Sequence, residues 1–171
     1  MRNVAHVVEL RLGETASELV IDAGSPGETV LTFALGIDQL TRRHFATPMP
    51  TAAAVELAIA EVEDHVMPLR RMLPDASRLV TADHRVRAVA DQLAPDGSTL
   101  DVLDIDAVEA LFNRWVAIAL GRRALHDSLP PSGEFAATLL VLREILHHLG
   151  WGEIALQAPP HPPRGCPASP P

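Results

Sequence analysis

Runs of apolar and β-branched residues from Val4 to Leu12, Glu18 to Ala23 and Thr29 to Ala34 predict three strands in antiparallel succession, the last two joined by the turn Gly24-Ser25-Pro26-Gly27. The pattern then changes period. Ile37, Leu40 and Phe45 predict a short helix, and a break follows at residues 46–50. From a Thr51 cap, Val55, Ile59, Val62 and Val66 line one face of a helix predicted to reach Leu73, kinked at Pro68. Arg78 to Thr81 reads as a short buried strand and Val86 to Leu93 as the helix leaving it, before the turn signal Pro95-Asp96-Gly97-Ser98. Asp104 caps a helix through Leu120, Ser132 caps another through Leu149 with Gly150 as its stop, and Trp151 to Leu156 reads as a last strand. The order β-β-β-α-β-α, with extra helices and a closing strand, is an α/β pattern with a mixed sheet. Residues 1–156 form one domain, and the Pro-rich remainder, 157–171, is expected to be disordered because prolines cannot build a helix or a central strand.

Composition adds limits. The 171 residues suit a single domain able to bury a core, since a chain of this size hides roughly two-thirds of its unfolded surface. No apolar run approaches the ~20 residues of a membrane span, and the N-terminus lacks a signal-peptide pattern, so no membrane role and a cytoplasmic location are expected. The net charge of −8 and the aromatic content of 4 %, without Tyr, disfavour nucleic acid and other polyanions. All the cationic side chains apart from His are Arg. The lone Cys166 sits in the tail and forms no internal disulfide.

Chemistry is concentrated at two predicted loops. The first, Arg11-Leu12-Gly13-Glu14-Thr15-Ala16-Ser17-Glu18-Leu19, has the outline of a phosphate-cradling turn but keeps a single glycine, where close approach of amides to an anion needs several. It resembles the Asp-Ile-Gly-Gly-Gly-Ser-Thr-Glu-Leu motif of the exopolyphosphatase and guanosine pentaphosphate phosphohydrolase (Ppx/GppA) family, matching at Gly13, Glu18 and Leu19. The family's Asp falls on Arg11, its second and third glycines on Glu14 and Thr15, and its Ser on Ala16. Three further segments are similar in the same order. Leu35 to Phe45 with Pro48, Pro50 and Thr51 resembles the family's Gly-x-x-Arg-Leu-Thr-Glu-x-Phe…Pro-Pro-Thr stretch. Arg78 to Ala90 resembles its second glycine loop, with Thr81, Asp83 and His84 in place of glycines. Leu139 to Gly150 resembles the helix that closes its core.

The resemblance implies a ribonuclease H-like, actin-like ATPase lobe matching only the second lobe of these two-lobed enzymes, with the first lobe absent. It also implies pairing, as a homo-oligomer or with another actin-like lobe, through an apolar face. The scaffold positions match and the chemical positions do not, which points to a degenerate, non-catalytic relative acting through protein contacts or as a vestigial regulator. The competing expectation is a reduced phosphohydrolase or a sensor of phosphorylated guanosine using Mg²⁺, with Glu14 and Asp83 as catalytic candidates. Gly13, Glu14, Thr15, Ser17, Thr81, Asp83, His84 and Arg85 are the phosphate-loop remnants. Solvated loop residues are the favoured reading of Glu14 and Asp83, because a carboxylate at these turns repels phosphate. No resident cofactor or metal site is expected. His147 and His148, adjacent on a helix, point about 100° apart and cannot readily share one ion. His65 one turn from Glu61, and the pairs Arg70-Arg71 and Arg122-Arg123, read as solvated helix surface.

Overall fold

In a computed structural model, which describes residues 6–47, 49–94, 97–121 and 129–158, six strands form one mixed sheet. β1 (His6–Arg11), β2 (Ser17–Ile21) and β3 (Thr29–Phe33) form the predicted antiparallel meander. β4 (Ser77–Thr81) adds parallel to β1, β6 (Glu153–Leu156) adds parallel to β4, and β5 (Val102–Asp104) closes the far edge antiparallel to β6. The spatial order is β3-β2-β1-β4-β6-β5. β5 was not predicted, since three residues are too few to show a period. The tail from residue 159 and Arg122-Arg123 lie outside the described residues.

Strand alternation sorts the sheet into two faces. Val8, Leu10, Leu19, Leu79, Leu103 and Ile154 join the core, while Val7, Glu9, Arg11, Glu18 and Arg78 point the other way. The core is organised by α5 (Gly133–Leu149), whose residues from Phe135 to Ile145 are buried with few breaks and which packs against α1 (Ile37–His44), α2 (Ala52–Val66), α3 (His84–Leu93) and α4 (Ile105–Ala119). Such a helix is apolar all round because it has neighbours all round. Thr51, Asp104 and Ser132 cap α2, α4 and α5 as expected, and Gly150 ends α5 in the left-handed conformation at φ 79°.

Two predicted boundaries shift. The helix starting at Ala52 stops at Val66 rather than running kinked to Leu73, and continues as a 3₁₀ turn over Met67–Met72. Pro68 has no N–H for the α ladder, and its ring opposes the carbonyl four residues back. Trp151 precedes the last strand instead of starting it; its indole N–H reaches Ser77, pinning the end of α5 to the start of β4. Trp115 is core, edge-on to Phe45. Glu61, near the middle of α2, accepts from Arg43 and His44 at the end of α1. Burial opposes its ionisation, but these two partners outweigh it and hold the carboxyl below the ordinary glutamate range.

Candidate functional site

Because β1 and β4 are parallel, with Glu9 opposite Val80, the turns that follow them leave the sheet at the same end. Residues 12–16 form the first turn and 82–83 the second. Gly13 is required in the first: a Cβ there would lie 2.0 Å from the Ala16 carbonyl oxygen. The Gly13 carbonyl accepts from Ile37 N–H at 2.9 Å, which ties the turn to the start of α1.

Asp83 joins the two turns. Its Oδ1 accepts from the Arg85 N–H at 2.8 Å and caps α3, while its Oδ2 accepts from the Leu12 N–H at 3.3 Å. The Arg85 guanidinium is equally committed: Nε donates to Glu134 at the start of α5 at 2.8 Å, Nη1 donates to the Leu12 carbonyl at 3.3 Å, and the group lies 3.8 Å from Asp83. Backbone N–H groups at a helix N-terminus and an adjacent turn are the donors with which such a site holds an anion. Here a side-chain carboxylate takes one donor from each side, and the nearest cation neutralises that carboxylate and a second one.

The other predicted residues divide into buried and exposed sets. Ser17 is the first residue of β2, fully buried, and donates to the Leu35 carbonyl at 2.6 Å. Thr81 is the last residue of β4, also fully buried; it donates to the Leu10 carbonyl at 2.8 Å and accepts from the Asp83 N–H at 3.0 Å. Both hydroxyls therefore act as internal clips. Glu14, Thr15 and His84 are exposed, and Glu14 makes no hydrogen bond or ion pair with the described residues. Asp83 departs from the solvated reading given to it, with its side chain only 10 % exposed. α3 also begins earlier than expected, at His84, because Asp83 serves as its cap and places His84 and Arg85 in the first helical turn.

No group of three ligating side chains gathers around Glu14 and Asp83 among the described residues. Two clefts flank them, one lined by Glu9, Leu10, Arg11, Ala82 and Asp83, the other lying between the starts of α3 and α5 beneath Arg85 and Glu134. Each encloses about 200 Å³, below the roughly 300–1,000 Å³ usual for a small-molecule pocket. Glu134 was not singled out from the sequence, although an acid two positions after the predicted Ser132 cap sits in the first turn of its helix.

Replacing Asp83 with Ala removes a helix cap and the link between the turns. A destabilisation of about 2 kcal/mol is expected, or roughly 4–8 °C in thermal midpoint for a chain of this size. Glu14→Ala, at an exposed position, is expected to change stability by no more than about 0.5 kcal/mol. Equal effects of the two substitutions in thermal denaturation would remove the bridging role given to Asp83.

No protein-family model and no curated protein matches the chain. Solved structures do. The Aquifex aeolicus Ppx/GppA phosphatase in its type II variant superposes with a TM-score of 0.69 at 14 % identity, over 90 % of this chain and 53 % of that one. An exopolyphosphatase-like protein gives 0.68 at 16 % identity over 90 % and 55 %, and an exopolyphosphatase from Cytophaga hutchinsonii gives 0.62 at 12 % over 90 % and 53 %. The chain thus spans about half the length of the structures it matches, and its fold is the actin-like ATPase fold of the Ppx/GppA phosphatases.

Proposed function

We propose that this lobe is a non-catalytic relative of the Ppx/GppA phosphatases that binds no phosphate at its loop end and acts through protein contacts. One observation carries the reading: the Asp83 carboxylate engages the Leu12 and Arg85 amides, so the donors that could hold a phosphate already hold an anion. Adding a second anion there places like charges a few ångströms apart, and the cation that could offset them is bound to Glu134. The loop end itself is polar, with Glu14, Thr15 and His84 exposed. Among the described residues the exposed large apolar side chains lie elsewhere: Met49 before α2, Leu57 on α2, Met67 and Met72 on the turn after it, and Val30 and Val102 on the two edge strands. A second copy of the chain, or another actin-like lobe, is the partner this reading expects.

The test combines phosphate release, thermal midpoint and light scattering, with Mg²⁺ plus polyphosphate or guanosine tetraphosphate. A ligand at 100 times its dissociation constant adds about 2.7 kcal/mol to stability, equivalent to roughly 5–10 °C here. The expected outcome is no release, no midpoint shift and a defined oligomer. Turnover that disappears in Glu14→Ala and Asp83→Ala would establish the Mg²⁺-dependent phosphohydrolase instead, and a midpoint shift without turnover would establish a sensor.

A further inference from the structure

At the opposite end of α5, about 20 Å from Glu134 at the 1.5 Å rise per residue of a helix, two carboxylates and an imidazole converge. Glu144 and His148 lie one turn apart on α5, and Glu63 reaches them from α2; their ligating atoms all fall within 4.8 Å of one another. The His148 Nε2 stands 3.3 Å from Glu63 Oε1 and 3.1 Å from Glu144 Oε2. Glu144 is the buried member, its side chain 1 % exposed. Its Oε1 is bound by Arg143, while its Oε2, aimed into the cluster, has no hydrogen-bond partner.

That arrangement is unsatisfied as it stands. One ring nitrogen carries at most one proton, and His148 directs it to Glu63, leaving the Glu144 oxygen without a bond. A buried carboxylate oxygen without a hydrogen bond is expensive to keep. A cation at the centre would satisfy all three atoms at once. Zinc bonds of 2.0–2.1 Å in a tetrahedral site place neighbouring ligand atoms about 3.3 Å apart, close to the two separations seen from His148. Glu63, 39 % exposed, can turn to close the third side and leaves a route from solvent.

We propose that Glu63, Glu144 and His148 bind a divalent transition-metal cation of zinc type. An imidazole ligand beside two carboxylates favours zinc, cobalt or manganese over magnesium, which prefers oxygen ligands throughout. Arg143 offsets part of the negative charge, since it bridges Glu144 and lies 3.7 Å from Glu109. His147 takes no part as a ligand: its Nδ1 faces Glu109 at 3.8 Å, and its ring packs edge-on to His148 with the centroids 4.9 Å apart. The sequence hid the site because Glu63 comes from another helix, 85 residues before His148.

Titration of the untagged full chain at neutral pH with Zn²⁺ by calorimetry, and with Co²⁺ by visible absorption, tests the site. One equivalent is expected to bind, with the intense absorption of low-coordinate Co²⁺ and no competition from Mg²⁺. Glu63→Gln is expected to weaken affinity at least about tenfold and His148→Gln more, with His147→Gln unchanged. Glu63 is partly exposed, so its variant is expected to fold, and circular dichroism checks this. Absence of saturable binding by the wild-type chain would overturn the proposal, as would binding that the Glu63 and His148 substitutions leave intact or that His147→Gln weakens equally.

Discussion

Replacing Gly36 with Ala is expected to destabilise the fold by about 3 kcal/mol or more, the upper range for forcing atoms into a packed site. The added Cβ would lie 2.2 Å from the Glu14 carbonyl oxygen, 2.3 Å from the Thr15 Cα and 2.5 Å from the Glu14 carbonyl carbon. All three are backbone atoms, so no side-chain rotation relieves the clash and the turn itself has to move. The backbone at Gly36, with φ −110°, suits any residue, which leaves contact as the whole cause. Moving residues 14 and 15 also disturbs Gly13, which holds the start of α1, and next to it the Leu12 amide that meets Asp83. Gly27→Ala is the matched control: nothing lies nearer its Cβ than 3.8 Å, and a neutral or slightly stabilising change is expected. Urea denaturation of the two variants checks both, and a Gly36→Ala protein as stable as wild type would show that the first turn is not packed against α1.

Leu142→Ala is expected to cost about 2–5 kcal/mol, because the side chain is fully buried at the middle of α5. No other helix among the described residues is so placed. α5 packs on α1, α2, α3 and α4, so a cavity here opens between layers that cannot all close on it. The same helix carries Glu134 at the loop end and Glu144 with His148 at the other, and loosening it affects both ends together. A lower urea midpoint with an unchanged slope would mark lost stability in an intact fold. Leu57→Ala, at a residue 62 % exposed, is expected to change stability by no more than about 0.5 kcal/mol. A Leu142→Ala effect as small would contradict the central place given to α5.

The elements were legible where local chemistry decides them. Thr51, Asp104 and Ser132 act as caps because their side chains serve N–H groups within three residues, and the first three strands carry their own pattern and turns. The loops were legible as places but not as structures. Asp83 reads locally as an acid on a degraded glycine loop, and its partner Leu12 lies 71 residues away, which no local pattern reveals. Ser17 looked like a loop hydroxyl and Thr81, at the end of a predicted strand, like a remnant of the second glycine loop, although both hydroxyls are buried and bonded to distant carbonyls. Pro68 was read correctly as a disturbance, but the change from α-helix to 3₁₀ turn after Val66 was not read from it.

Amide NMR during titration with polyphosphate and Mg²⁺ reads the two donors themselves. If Asp83 occupies them, the Leu12 and Arg85 amide signals of the wild-type chain stay in place through saturating ligand concentrations, and they move on replacement of Asp83 by Ala without ligand. Saturable movement of both signals in the wild-type protein would show that the loop end still receives phosphate and would contradict the non-binding lobe.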